Sequence, residues 1–251
     1  MNTTFFNDFM KDEKNLTLLQ ETMWGPNAIR QTEELSSHFT ITKDMRILDL
    51  GAGTGLSSLY LAKKYGATIF ATDLYACPTE NHERFSAFGL ADKVIPMILD
   101  ATKPLPFAKG YFDVIFSVGA YNMFGLDEDM LPSLIPYLKE GGHIALSFPG
   151  LKHDFAGKVP VEMQPFWAVP EVSKTVRGTL WWEHIFQKAK GLEVILLNDM
   201  ACHDIAWAEY LERLDPANSG NWGDDKWTLD MMAAEDGKYF NTIGFVAKVQ
   251  K

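Results

Sequence analysis

Residues 47–62 read ILDLGAGTGLSSLYLA, in which one aspartate, Asp49, interrupts an apolar run and glycines follow at positions 51, 53 and 55. The apolar run predicts a buried strand, and the pattern after the glycines predicts a helix. Glycines in the first turn of a parallel sheet let the backbone approach a ligand closely, because no Cβ intervenes. The stretch therefore predicts a strand–turn–helix unit with a ligand at the carboxyl end of the strand.

The flanking sequence, from Arg46 to Pro149, alternates strand-like runs with helical patterns at short spacing. This alternation is typical of a parallel sheet covered by helices on both faces. The expected strands are residues 46–50, 68–73, 94–100, 112–118 and 143–149. The expected helices between them are residues 55–65, 79–88 and 128–139.

After Pro149 the alternation stops, and Pro160, Pro165 and Pro170 punctuate an irregular stretch. Long irregular segments in regular domains are usually functional or mobile. This segment leaves the carboxyl end of the fifth expected strand, so we predict that it forms a lid over the site. Regular patterns return as a helix at 180–191, a strand at 192–200, short helices near 204–213 and 225–235, and a last strand at 240–249.

The whole chain, residues 1–251, is expected to be a single domain. Residues 1–40 predict two helices that cap the domain. The expected order is that cap, a cofactor-binding core at 41–149, a lid or acceptor segment with its helix at 150–190, and strands that complete the sheet at 191–251.

Three carboxylates indicate the kind of ligand. A dinucleotide-binding turn needs glycine at position 56, where this chain has Leu56, and a carboxylate at Asp49 suits a cationic group better than a pyrophosphate. Asp73 ends the second expected strand, where it can accept hydrogen bonds from both ribose hydroxyls, and Asp100 ends the third, where it can accept one from an adenine amino group. The set favours a nucleoside with a positively charged amino-acid tail over NAD.

Composition narrows the range of partners. The net charge of -10 disfavours nucleic acid and anionic membranes, and no run of residues resembles a signal peptide or a membrane span. Cys77 and Cys202 are far apart, and the six histidines show no paired ligand spacing, so we expect neither a disulfide framework nor a metal site. A cytoplasmic protein is expected.

The stretches ILDLGAGTG, ATD, DATKPLPF, FDVIFSVGAYNMFG and LKEGGHIALS follow in an order and spacing that resemble the class I S-adenosylmethionine-dependent methyltransferases of the small-molecule type, over roughly residues 24–249. The resemblance implies an α/β, Rossmann-like three-layer sandwich. Its seven-stranded, mostly parallel sheet would have an antiparallel last strand, an N-terminal helical cap and a lid insertion after the fifth strand. LKEGG departs from the commoner Leu-x-Pro-Gly-Gly, which affects only a turn.

The resemblance also implies S-adenosylmethionine as cofactor. It implies that Asp49 and the turn hold the methionine tail, that Ser117 faces the methionine amine, that Asp73 binds the ribose, and that Asp100 with Ala101 binds the adenine. The implied cofactor-binding residues are Trp24, Asp49, Gly51, Gly53, Asp73, Leu74, Asp100, Ala101 and Ser117.

Residues of the acceptor site are signalled less clearly. Tyr121 and Asn122 follow the fourth expected strand, with loop packing as the alternative, and His153 and His203 are candidate general bases. Cys202 is a candidate nucleophile, with a buried free thiol as the alternative. Candidate tryptophans of the pocket wall, with core packing as the alternative, are Trp24, Trp167, Trp181 and Trp182.

The reaction that we expect is in-line methyl transfer to a small-molecule acceptor, achieved mainly by positioning and by exclusion of water. The alternatives are a non-catalytic regulatory protein that binds S-adenosylmethionine, an NAD-dependent oxidoreductase and a lipid-modifying relative. The sequence leaves open the acceptor, the atom that is methylated, the need for a base and the oligomeric state.

Overall fold

The computed structural model describes residues 3–219 and 223–250, and in this part of the chain the centre of the fold is an eight-stranded sheet. The strands are β1 Arg46–Leu50, β2 Thr68–Asp73, β3 Val94–Ile98, β4 Phe112–Val118, β5 Leu138–Leu151, β6 Arg177–Gly178, β7 Leu192–Asp199 and β8 Phe240–Val249. Seven of them follow the order β3-β2-β1-β4-β5-β8-β7, and β6 pairs with β5.

Helices precede and connect these strands. They are α1 Thr3–Phe9, α2 Glu13–Thr22, α3 Ala28–Ser36, α4 Leu56–Tyr65, α5 Pro78–Ala87, α6 Met130–Leu134, α7 Gln164–Trp167, α8 Pro170–Thr175, α9 Thr179–Phe186, α10 His203–Leu211 and α11 Asp225–Glu235. None of the helices in the described residues combines the length and the apolar character needed to cross a membrane.

Strand directions agree with the predicted fold class. β1 to β5 pair in parallel, β8 runs antiparallel to β5, and β7 runs antiparallel to β8. The mostly parallel sheet with an antiparallel last strand is therefore confirmed. The two-residue β6, which pairs with Gly150 and Leu151 at the end of β5, was not predicted.

Alternate residues of β1 supply two separate cores. Ile47 packs in a cluster with Leu35 and Tyr60 on the face covered by the N-terminal helices and α4, whereas Leu48 packs with Trp182 on the other face. Side chains of a strand alternate between the faces of its sheet. The sheet is thus covered on both sides, which gives the three-layer sandwich expected from the sequence.

The N-terminal cap corrects one expectation. Three helices, α1 to α3, lie within the described part of the first 40 residues, where two were predicted. The break between α1 and α2 comes at Asp12, whose carboxylate accepts a hydrogen bond from the Asn15 backbone N–H at 3.0 Å and caps α2. Phe9 then packs edge-on against Tyr60 of α4, which fastens the cap to the domain.

Four predicted elements had wrong bounds. The helix expected at 180–191 is Thr179–Phe186. The helix expected at 128–139 is an α-helix only over Met130–Leu134 and continues as one 3₁₀ turn at 135–137, because Pro136 disfavours α geometry before it. The strand expected at 143–149 begins at Leu138, and residues 139–142 bulge from its pairing with β4. The strand expected at 94–100 ends at Ile98.

Candidate active site

The glycine turn after β1 is built tightly. Gly51 has a φ of 70°, and its N–H donates to the Thr72 carbonyl at 2.8 Å, which holds the turn against β2. A Cβ on Gly51 would lie 2.5 Å from the Cβ of Ala120. The backbone conformation and the close neighbour both require glycine here. The turn therefore brings bare backbone to the carboxyl ends of β1 and β4.

Asp73, the last residue of β2, lies beside this turn. Its Oδ2 accepts from the Gly53 N–H at 2.9 Å, and its Oδ1 accepts from the N–H groups of Tyr75 at 2.8 Å and Ala76 at 2.9 Å. Three backbone donors thus fix one carboxylate, and they tie the glycine turn to the loop after β2. The lone pairs that remain on the two oxygens can still accept from a ligand.

A cleft of about 250 Å³ opens above the turn, at the carboxyl ends of β1, β2 and β4. Four of the predicted cofactor residues line it: Trp24, Gly51, Gly53 and Asp73. The Trp24 side chain, 64% exposed, lies 3.4 Å from the position that a Cβ on Gly53 would take. The cap and the glycine turn therefore form opposite walls of one cleft.

Asp49 lies beneath the turn and is fully buried. Its Oδ2 accepts from the hydroxyls of Ser57 at 2.5 Å and Ser58 at 2.7 Å at the start of α4, and its Oδ1 has no partner among the described residues. Burial raises the pKa of Asp49 to about 6. The period of the strand explains the placement, because Asp49 and Ile47 share the face that α4 covers.

The stability of the ligand-free protein should therefore depend on Asp49. A carboxyl whose pKa is raised in the folded state stabilises the fold while protonated, and this contribution is lost as pH rises through about 6. Relative to Asp49→Asn, the parent should lose about 2.5 kcal/mol of unfolding free energy between pH 4 and 7.5. Urea denaturation of both proteins across this range measures the difference, and parallel pH profiles would contradict it.

The other predicted cofactor residues lie away from the cleft lining. Asp100 accepts from the Thr102 N–H at 2.9 Å and from its hydroxyl at 2.6 Å, and these hydrogen bonds lower the pKa of Asp100. Ala101 borders a separate surface depression, Leu74 is exposed, and Ser117 is fully buried. The roles implied for these four residues stay predictions.

The aromatic candidates after β4 lie in the core. Tyr121 is fully buried against Phe148, Trp182 and Phe186, with ring centroids 5.9 to 6.0 Å from its own. Burial raises the pKa of the Tyr121 phenol, and its hydroxyl has no partner among the described residues. Asn122 is buried as well. This placement agrees with the packing alternative for both residues and for Trp182.

Of the remaining acceptor-site candidates, His203 lies nearest the cleft. Its Nδ1 is 2.9 Å from the Thr242 hydroxyl, and Thr242 lines the cleft. Burial lowers the pKa of His203, which keeps the imidazole neutral and also makes it a weaker base. By contrast, His153 is exposed, and burial raises the pKa of the Cys202 thiol and disfavours its thiolate.

A second cavity of about 110 Å³ adjoins the cleft, and Pro149 borders both. Its wall consists of Pro149, Val172, Val176, Trp207, Trp227, Met231, Phe240 and Asn241. Sequence reasoning missed Trp207 and Trp227. One signal was available for Trp207, because its spacing of four from His203 places both residues on one face of α10.

The predicted lid contributes to this cavity with its second half. Val172 and Val176 line it, whereas Phe155, Met163 and Trp167 pack against α11 and the start of β8. The Trp167 ring lies 4.7 Å from that of Phe155. No residue of the segment 150–178 is among those that line the cofactor cleft in the described structure.

The cap is fastened over the cleft by polar contacts to α10 and β5. Arg30 pairs with Glu209 at 2.5 Å, with both side chains partly buried. Glu34 accepts the N–H of Cys202 at 2.9 Å, and the Gln31 side chain accepts the Ser147 hydroxyl at 2.8 Å. Because Gln31 also lines the cleft, the cap and the cleft wall are held as one structure.

Comparison with known proteins identifies the part of the chain that carries the glycine turn, Asp73 and Asp100. Residues 47–142 match the family model described as a methyltransferase domain. This part of the chain is therefore similar to a methyltransferase domain. A curated relative is sarcosine/dimethylglycine N-methyltransferase from Halorhodospira halochloris, 29% identical over 125 residues, which are 49% of this chain and 45% of that enzyme.

The alignments with the first curated relatives span less than half of those proteins. Among solved structures, Haemonchus contortus phosphoethanolamine N-methyltransferase 2, in complex with S-adenosyl-L-methionine, matches with a TM-score of 0.71 and 18% identity over 98% of this chain and 60% of that chain. The cyclase SpnF matches with a TM-score of 0.67 and 16% identity over 88% of this chain and 80% of that chain. The chain therefore shares its fold with an N-methyltransferase and with a cyclase.

Proposed function

We propose that this protein binds S-adenosylmethionine in the cleft and transfers its methyl group to a small molecule. One observation carries the proposal: Trp24 of the cap lines one cleft together with Asp73 and the glycines of the turn, which lie in the stretch that matches a methyltransferase domain. On the net charge of -10, we propose neither nucleic acid nor an anionic membrane as partner, and the cytoplasm stays the proposed location.

The residues of the cleft suit such a cofactor. Gly51 and Gly53 offer backbone without side chains, Asp73 offers acceptor oxygens for hydroxyl donors, and Trp24 offers an aromatic face that attracts a cation. When bound, S-adenosylmethionine supplies a methyl group on a sulfonium, which is a good leaving group. The residues of the chain then have to orient donor and acceptor.

Orientation and exclusion of water are the tasks that the structure can perform. The cap, held to α10 by the ion pair of Arg30 and Glu209, closes one side of the cleft, and Pro149 borders both the cleft and the apolar cavity. Well-oriented reactants can gain on the order of 7 to 11 kcal/mol of the barrier by proximity alone. Where the acceptor carries a proton, the neutral imidazole of His203 is the group that we propose to take it up.

There are two alternatives to methyl transfer: a different use of the same cleft, and NAD-dependent chemistry. The match to a cyclase favours testing whether the cleft serves a reaction other than methyl transfer, or binding alone. NAD is disfavoured because position 56 is a buried leucine that begins α4, where a dinucleotide fingerprint has its third glycine.

The test is a labelled-methyl assay. Purified protein is incubated with methyl-labelled S-adenosylmethionine and a small-molecule extract, and products are screened by mass for gain of one labelled methyl group. We expect at least one labelled product and release of S-adenosylhomocysteine. Calorimetry should show binding of S-adenosylhomocysteine without binding of NADH, and the opposite preference would overturn the proposal.

Trp24 gives a sharper test of the sulfonium site. Because the side chain is 64% exposed, Trp24→Ala should change the free energy of unfolding by less than about 0.5 kcal/mol. Binding of S-adenosylmethionine should weaken by about 0.5 to 2 kcal/mol through loss of the cation–π contact. Binding of S-adenosylhomocysteine should weaken less, because its sulfur carries no charge. Trp24→Phe, which keeps an aromatic face, is the matched control. Equal losses for both ligands in calorimetry would place Trp24 away from the sulfonium.

A further inference from the structure

The apolar cavity beside the cleft has the position expected of an acceptor site. It shares Pro149 with the cleft, and neighbouring residues of β8 border each space, Asn241 the cavity and Thr242 the cleft. Five separate parts of the chain build its wall, including α8, α10 and α11. A molecule in the cavity would therefore lie next to a cofactor in the cleft.

The wall of this cavity carries no charge. None of the described residues that line it is acidic or basic, and none of those that line the cleft is lysine or arginine. An anionic group placed here would be desolvated without a counter-charge, which is strongly unfavourable. The names of the relatives include enzymes for sarcosine and for geranyl diphosphate, both charged compounds. This wall is unsuited to a carboxylate or a diphosphate.

The surface that faces the cavity is entirely apolar. The Trp207 Nε1–H donor and the Asn241 Oδ1 acceptor are buried without partners within the described structure, but they do not face the cavity. An apolar group is favoured in such a space because its burial removes apolar surface from water. The wall thus favours an uncharged, apolar part of the ligand.

We propose that this cavity binds the apolar part of an uncharged methyl acceptor of about one ring in width. This inference rests on the proposed function, because it assigns the acceptor class for the same site. The size follows from the volume of about 110 Å³, which is comparable to engineered apolar cavities of roughly 150 Å³ that bind benzene.

The test uses phenol as a neutral probe and benzoate and sarcosine as charged probes. Ligand-observed NMR and calorimetry are run on the full chain with and without S-adenosylhomocysteine. Phenol should bind in the millimolar range, and benzoate and sarcosine should bind at least tenfold more weakly. Absence of phenol binding, or binding of benzoate or sarcosine as tight as that of phenol, would overturn the proposal.

A cavity-filling variant locates the probe. Val176→Phe should weaken phenol binding at least tenfold, and Val161→Phe, the same change at an exposed position of the same segment, should leave it unchanged. S-adenosylhomocysteine affinity, measured on each variant, reports whether the domain is folded and whether the cofactor proposal itself holds. Unchanged phenol binding in Val176→Phe with intact cofactor affinity would contradict the acceptor site alone.

Discussion

Asp73→Ala is expected to weaken binding of S-adenosylmethionine by about 1.5 to 3 kcal/mol, the range for hydrogen bonds to a charged group. The carboxylate lines the cleft and also accepts from the backbone N–H groups of Gly53, Tyr75 and Ala76. Its removal therefore takes away a ligand contact and releases the glycine turn. Calorimetry with S-adenosylmethionine and S-adenosylhomocysteine measures the loss, which should be similar for both because the ribose is common to them.

The matched control is Asp100→Ala. The Asp100 carboxylate accepts hydrogen bonds from Thr102 and does not line the cleft. Asp100→Ala should therefore weaken cofactor binding less than Asp73→Ala does. Circular dichroism establishes that both variants fold. Parent-like affinity in Asp73→Ala, together with a large loss in Asp100→Ala, would mean that the cofactor lies in a different register along the sheet edge.

Gly51→Ala should have the largest effect of the glycine substitutions in the cleft. Its φ of 70° costs any other residue about 1 to 2 kcal/mol. The added Cβ would also lie 2.5 Å from that of Ala120, and such overpacking typically costs about 1 to 3 kcal/mol more. Because Ala120 lines the cleft, any displacement also moves the cleft wall, and cofactor affinity should fall with stability.

Gly119→Ala separates backbone strain from the steric clash. Gly119 lines the same cleft with a φ of 75°, and a Cβ there would meet no atom within 4 Å. Urea denaturation should therefore show a loss in Gly51→Ala that exceeds the loss in Gly119→Ala by about 1 to 3 kcal/mol. Equal losses in the two variants would show that contact with Ala120 does not constrain the turn.

The glycine turn and the sheet were predictable because their signals are local. Strand periodicity and glycine spacing near Asp49 are properties of neighbouring residues, and they place the cleft at one end of β1. The same periodicity could have shown that Asp49 shares the face of Ile47, under α4 and away from the cleft lining. The role implied for Asp49 in holding the cofactor stays a prediction.

The apolar cavity was not predictable from local patterns. Its wall joins residues as distant in sequence as Pro149, Val172, Trp207 and Phe240, and only tertiary packing brings them together. The segment after β5 was predicted to be irregular because its prolines interrupt periodic patterns. In the structure, proline instead begins short helices such as α8. Proline at the first position of a helix costs no hydrogen bond, so a proline in the sequence can mark the start of a helix as well as an irregular segment.

The most direct measurement of the central claim is a crystal structure of the protein grown with S-adenosylhomocysteine. The account predicts the ligand in the cleft, with the ribose hydroxyls within hydrogen-bond distance of Asp73 and the amino-acid tail against the turn of Gly51 and Gly53. Trp24 should lie over the sulfur side of the ligand. Ligand density elsewhere on the protein, or a cleft without the ligand at saturating concentration, would contradict the account.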